Sequence, residues 1–174
     1  MAKVSFIKLN LKKNEDVKHL TINDQDIEIK QYLPVNEKLE LISKVINKSA
    51  DENNFANPVK LRVFLILEAI EAYTNINFTE KQKEDPTKLF DLFKGNGVAN
   101  EIIRNIPVVE WNTLENGVNK CAEAIYTYRN SVLGLLETIT ADYSNLNLDA
   151  AEIQKNLADP NNMALLKDVL SKLG

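Results

Sequence analysis

This chain of 174 residues has one cysteine, one histidine and one tryptophan, and each shortage removes a class of chemistry. Cys121 has no second cysteine to join, so there is no internal disulfide, which is compatible with a cytosolic setting. His19 has neither a second histidine nor a nearby cysteine to share a zinc ion, and a catalytic histidine needs a nucleophile and an orienting partner. Only Arg62, Arg104 and Arg129 supply guanidinium groups, so the forked donors that suit phosphate are scarce. With a formal charge of −4, nucleic acid and anionic membrane surfaces are not expected partners. No apolar run approaches the roughly 18 residues of a membrane span. Met1 to Lys13 alternates lysine with apolar residues and lacks the continuous apolar core of a signal peptide.

What the chain does have is pattern. Trp111, Leu114, Val118, Cys121, Ile125, Tyr128, Val132, Leu135 and Ile139 are spaced 3, 4, 3, 4 throughout, the seam of a helix over four heptads. The flanking positions, among them Gly117, Ala122, Ala124 and Ser131, are mostly small, where a free-standing coiled coil carries Glu and Lys. This pattern predicts the long spine of a helical bundle, with Gly117 and Gly134 at close helix contacts. Tyr126 and Leu133 fall beside the seam, on a face otherwise carrying Asn112, Asn119 and Lys120. If exposed, they are candidate partner contacts.

The first 32 residues read differently from the rest. Val4 to Leu11 alternates like a strand, with one slip at Ile7. His19–Ile22 and Ile27–Lys30 flank Asn23-Asp24-Gln25-Asp26 as a hairpin with a four-residue loop. Together they predict a three-stranded sheet over residues 1–32. Ile27 and Ile29 share one side of its last strand and are offered to the helices or to a partner's strand. Residues 33–174 read as the helical bundle, in one compact domain overall, so the fold class is mainly α with a small N-terminal β element.

The helix starts are well marked. Asn57-Pro58, Asp85-Pro86 and Asp159-Pro160 each set a capping side chain before a proline suited to the first helical position. Thr79-x-x-Gln82 and Asp149-x-x-Glu152 have capping-box spacing. Helices are expected around Leu39–Ile46, over Val59–Tyr73 (apolar nearly all round, as in a central helix), Leu89–Phe93, Val98–Ile106, Ala150–Ala158 and Asn161–Leu173. Asp51–Ala56 and Asp142–Leu148 read as loops.

Candidate chemistry is thin. Asp24, Asp26 and Glu28 alternate as calcium ligands do, but the glycine and distal glutamate of an EF-hand are missing. Gly95-Asn96-Gly97 is too short to cradle phosphate and reads as a helix stop. Glu68 and Glu71 lie one turn apart, as in di-metal bundles, yet no histidine follows residue 19 to complete such a site. No catalytic, cofactor-binding or metal residues are assigned. An enzyme would require Glu68 or Glu71 to line a pocket with a raised pKa.

The hairpin Ile22–Lys30, ahead of a wholly helical body, resembles the tail-assembly chaperones of long-tailed phages that infect low-GC Gram-positive bacteria. The blocks Gln31–Lys38, Tyr73–Thr79 and Ala124–Ser131 are similar to segments of such small morphogenesis proteins. The resemblance implies binding to a tail-tube or tape-measure protein, self-association as a homo-oligomer, location in the host cytoplasm during assembly, and no catalysis. A head–tail connector or other virion component, or a host-side helical adaptor, has the same composition.

Overall fold

The computed structural model describes residues 3–52 and 55–136. The chain divides into two units, Met1–Thr127 and Tyr128–Gly174. The expected helices over 150–158 and 161–173, their caps, and the loop over 142–148 lie outside the described residues.

The first unit opens with a short 3₁₀ turn over Phe6–Leu9, where a strand is expected. The slip at Ile7 spoils the alternation that a paired strand needs, and the sheet has two strands, β1 (Val17–Ile22) and β2 (Gln25–Lys30). They pair antiparallel with His19 opposite Glu28, Leu20 opposite Ile27 and Ile22 opposite Gln25. The loop is therefore two residues, not four. Asn23 and Asp24 both take positive φ, 47° and 60°, the type I′ geometry that Asn and Asp tolerate and that matches strand twist.

Among the described residues the hairpin is followed by α1 (Val35–Ser49), α2 (Pro58–Tyr73), α3 (Glu80–Lys83), α4 (Pro86–Gly95), α5 (Val98–Asn105) and α6 (Val108–Arg129). Their predicted caps are formed. Asn57 Oδ1 accepts from the N–H groups of Val59 and Lys60 at 2.9 and 3.1 Å, and Asp85 Oδ1 accepts from Lys88 N–H at 3.0 Å. Thr79 and Gln82 close a reciprocal capping box. Gly97, at φ +76°, turns the chain from α4 into α5.

The spine is α2. Leu65, Ile66, Leu67, Ala69, Ile70 and Tyr73 are buried along it, as its all-round apolar character predicts. Around it, one core joins Ile29 and Leu33 from the sheet side, Leu41 and Val45 of α1, Leu89 of α4, Ala99 and Ile102 of α5, and Leu114 and Val118 of α6. The sheet is therefore a wall of the helical core.

The long helix is shorter and less buried than its heptads imply. α6 ends at Arg129, a turn intervenes at Asn130-Ser131, and residues 132–136 are helical again. Ser131 Oγ accepts from Gly134 N–H at 3.2 Å, so this serine caps a new helical turn inside the heptad pattern. Position 139 lies outside the described residues. Of the seam, Leu114 and Val118 are buried and Trp111 partly so, whereas Cys121 and Tyr128 are exposed. Among the described residues α6 is the longest element and α2 the central one, because a periodic stripe is buried only where neighbours cover it.

Where α6 does pack, it packs closely. A Cβ at Gly117 would stand 2.6 Å from Ile42 Cδ1 and 3.5 Å from Ile42 Cγ1. Gly117→Ala is expected to leave stability nearly unchanged, because up to about 1 kcal/mol of helix propensity is offset by displacing that side-chain tip. On an Ile42→Val background, which deletes Cδ1, the same substitution should stabilise by roughly the full 1 kcal/mol in urea unfolding. Equal effects on both backgrounds would contradict the close contact.

Candidate partner-contact surfaces

The four candidate contact residues divide into two kinds. Ile29 is fully buried in the core, and Ile27 beside it is half-buried against the same cluster. Their shared side of β2 faces the helices, so this face is not open to a partner. Tyr126 in the first unit and Leu133 in the second are 63% and 59% exposed, which meets the condition set for them. Tyr126 also lies against Phe55, ring centroids 5.7 Å apart.

The largest exposed apolar groups include others that the pattern does not single out. Val4, Phe6, Ile7, Leu9 and Leu11 are all more than half exposed, with Ile7 at 86%. Val108 and Val109, at the start of α6, are similarly open. Alternation marks the N-terminal segment as a strand, and only the absence of a pairing partner shows its side chains uncovered. In the second unit Val132, Leu135 and Leu136 are exposed as well.

The polar groups that could do chemistry are mostly engaged. Glu68 and Glu71 do line a cleft between α1 and α2, with Glu37, Glu40, Leu41, Lys44 and Ala72. Its volume, about 190 Å³, is below the roughly 300 Å³ at which ligand pockets begin. Glu68 is bonded to Lys48, Glu71 to Lys83 at 2.8 Å and Glu40 to Lys44 at 2.8 Å. The bond from Lys44 holds the Glu40 carboxyl below the usual range, and the Lys83 ammonium is held above its own by its bond to Glu71. These are structural ion pairs. Cys121, expected on a buried seam, is exposed instead, since α6 has left the core by that point.

Among the described residues, one deeply placed ionic cluster stands out, where α6 begins. Glu110 Oε1 accepts from Lys38 Nζ at 2.7 Å, while its Oε2 accepts from Leu33 N–H at 3.0 Å and Tyr73 O–H at 2.9 Å. Lys38 also lies 4.6 Å from the centroid of the Tyr32 ring. Burial pushes the Glu110 carboxyl up, but the lysine, the backbone N–H and the phenol outweigh it, and its pKa is lowered. Burial, followed by the bond to Glu110, raises the Tyr73 phenol far above its ordinary value. The cluster ties the chain after β2 to α1, α2 and α6 and lines no part of the α1–α2 cleft. Nothing in the sequence marks this cluster, because Glu110 stands beside the Trp111 seam and reads as an ordinary first-turn acid.

His19 is exposed on β1, as expected, and its Nδ1 lies 2.8 Å from Asp26 Oδ2. That bond, with the charge of Asp26 and a smaller contribution from Glu28, raises the imidazole pKa against a weak effect of burial. None of the helices among the described residues is long and apolar enough to cross a membrane. No protein-family model matches this chain, and no curated protein or solved structure matches it either.

Proposed function

We propose that this chain is a non-enzymatic assembly protein of a Gram-positive-infecting long-tailed phage, of the tail-assembly-chaperone kind, working by protein–protein contact in the host cytoplasm. The observation that carries the reading is the set of large apolar side chains left exposed in residues 4–11, at Tyr126 and over 132–136. Scattered single residues of this kind are ordinary on a protein surface. Five in eight positions, as in Val4–Leu11, are a contact surface awaiting a partner. The saturated ion pairs around Glu68 and Glu71 support the same reading, since no carboxylate there stands ready as an acid or base. The partner expected from the resemblance is a tail-tube or tape-measure protein, with a second copy of this chain as a further one.

Size-exclusion chromatography with light scattering tests self-association, and co-purification with the tail-tube protein tests partner binding. Phe6→Ser with Ile7→Ser, and separately Leu133→Ser, should change unfolding free energy by no more than about 0.5 kcal/mol while weakening association or capture. Tyr126→Ser should cost about 1 kcal/mol more, because it also removes the ring contact with Phe55. A strict monomer over a wide concentration range that captures neither tail protein would end this reading. Mass spectrometry of purified particles separates a chaperone, which is missing from them, from a virion component, which is retained.

A further inference from the structure

The outward face of the hairpin gathers the chain's single histidine with two carboxylates that sequence separation hides. His19 and Glu28 are directly opposed in the register, and Asp26 sits one same-face pair nearer the turn, opposite Thr21. Alternation puts all three on the side away from Leu20, Ile27 and Ile29, which face the core. One ligand atom from each of the three lies within 4.8 Å of the others. In a tetrahedral zinc site, with bonds of about 2.0–2.2 Å, two ligand atoms stand roughly 3.4 Å apart. Rotamer changes in the exposed side chains must draw the three together by up to about 1.4 Å to reach that spacing.

Two further features bear on this cluster. The first is charge. Neither carboxylate is neutralised by a lysine or arginine among the described residues: the ion-pair partner of Asp26 is His19 itself, and Glu28 has none. The second is rigidity. Asn75 Oδ1 accepts from Glu28 N–H and Asn75 Nδ2 donates to Asp26 C=O, both at 3.2 Å, so the backbone under both carboxylates is clamped to the segment after α2.

We propose that His19, Asp26 and Glu28 form a surface site for a borderline divalent transition-metal ion of the zinc or nickel class. An imidazole nitrogen with two carboxylates matches that class; calcium and magnesium favour all-oxygen sets, and copper(I) favours thiolates. Binding takes the ion onto a neutral imidazole nitrogen and both carboxylates, and any proton held between His19 and Asp26 leaves to solvent. Three protein ligands leave at least one coordination position for water or for a side chain of another molecule. This inference does not depend on the assembly reading.

Because His19 is the only histidine, its ring C–H resonance in a proton NMR spectrum is a single, unambiguous reporter. Tag-free full-length protein carrying Cys121→Ser, which removes the exposed thiol as a rival ligand, is titrated with zinc chloride above the imidazole titration. Calorimetry runs in parallel. Saturable one-to-one binding with a shift of that resonance is expected. His19→Gln and Glu28→Gln should each weaken it by at least the 10- to 100-fold, to order of magnitude, that even outer-shell losses cost. Magnesium should leave the resonance unmoved. A resonance unaffected by excess zinc would overturn the proposal. So would affinity unchanged in His19→Gln, or equal competition by magnesium, which would mean plain carboxylate electrostatics.

Discussion

Glu110→Ala is expected to lower the free energy of unfolding by about 3–5 kcal/mol, the cost of breaking a buried ion pair by removing one partner. Both side chains are nearly enclosed, with 11% exposure each, so solvent screens them little. The loss is threefold. It leaves the Lys38 ammonium without its carboxylate, the Leu33 N–H without an acceptor and the Tyr73 hydroxyl without a partner. Urea unfolding reads the change directly. Lys38→Met with Glu110→Gln should recover much of it, since an amide oxygen still accepts from Leu33 or Tyr73 and no charge is left buried. If the double variant were as unstable as the single one, the shape of the site, and not its charge, would be what matters.

The same cluster fixes a pH dependence at both ends. The Glu110 carboxyl titrates lower in the folded chain than in the unfolded chain, so below the unfolded value of about 4.5 the unfolded state binds more protons. Its contribution is present above that value and is lost as pH falls through the folded one. The Tyr73 phenol is raised, so its contribution is whole below the unfolded value of 10.0 and is lost as pH rises towards the folded one. Thermal unfolding midpoints should therefore be level near neutrality and fall on both sides. Tyr73→Phe should soften the alkaline fall, and Glu110→Gln the acid one. A profile unaltered by either variant would show that other groups govern it.

Ile29→Ala should cost about 2–5 kcal/mol, the range for truncating a large aliphatic residue in a packed core. Ile29 has no exposed surface and lies in one cluster with Leu33, Ile66, Ile70 and Ile102. Its backbone also bridges to Thr74, just after α2. Removing three carbons there opens a cavity between sheet and helices that neither side can collapse to fill. Loss of helical circular dichroism should follow that of the whole fold in a single transition, because the hairpin has no core of its own. The contrast is with Phe6, Ile7 and Leu133, where substitutions leave stability nearly intact. If the hairpin melted alone in Ile29→Ala with the helices unaffected, its place as a wall of the core would be refuted.

Some of this was legible in single residues. Asn57-Pro58, Asp85-Pro86 and Thr79-x-x-Gln82 announce helix starts because a cap is satisfied within three residues of itself, whatever surrounds it. The all-round apolarity of α2 likewise marks a helix with neighbours on most sides. The heptads after Cys121 misled for a complementary reason. A 3–4 spacing shows that a stripe could be covered, and Ser131 has only to cap a new turn to end the helix inside the pattern. The candidate metal cluster was invisible for want of register: His19 lies seven residues from Asp26 and nine from Glu28, and only a two-residue turn brings them level.

The sequence alone determined that this chain is mostly helical, where α2, α3, α4 and α5 begin, and that a hairpin precedes them, because those choices rest on backbone propensity and capping over a few residues. Only the tertiary structure decided that the heptad helix leaves the core after Val118, that Ile29 is core while Phe6 and Ile7 are surface, and that Glu110 is an anchor. Burial and charge pairing depend on what arrives from tens of residues away. The same side chain is core or contact surface according to whether that neighbour comes.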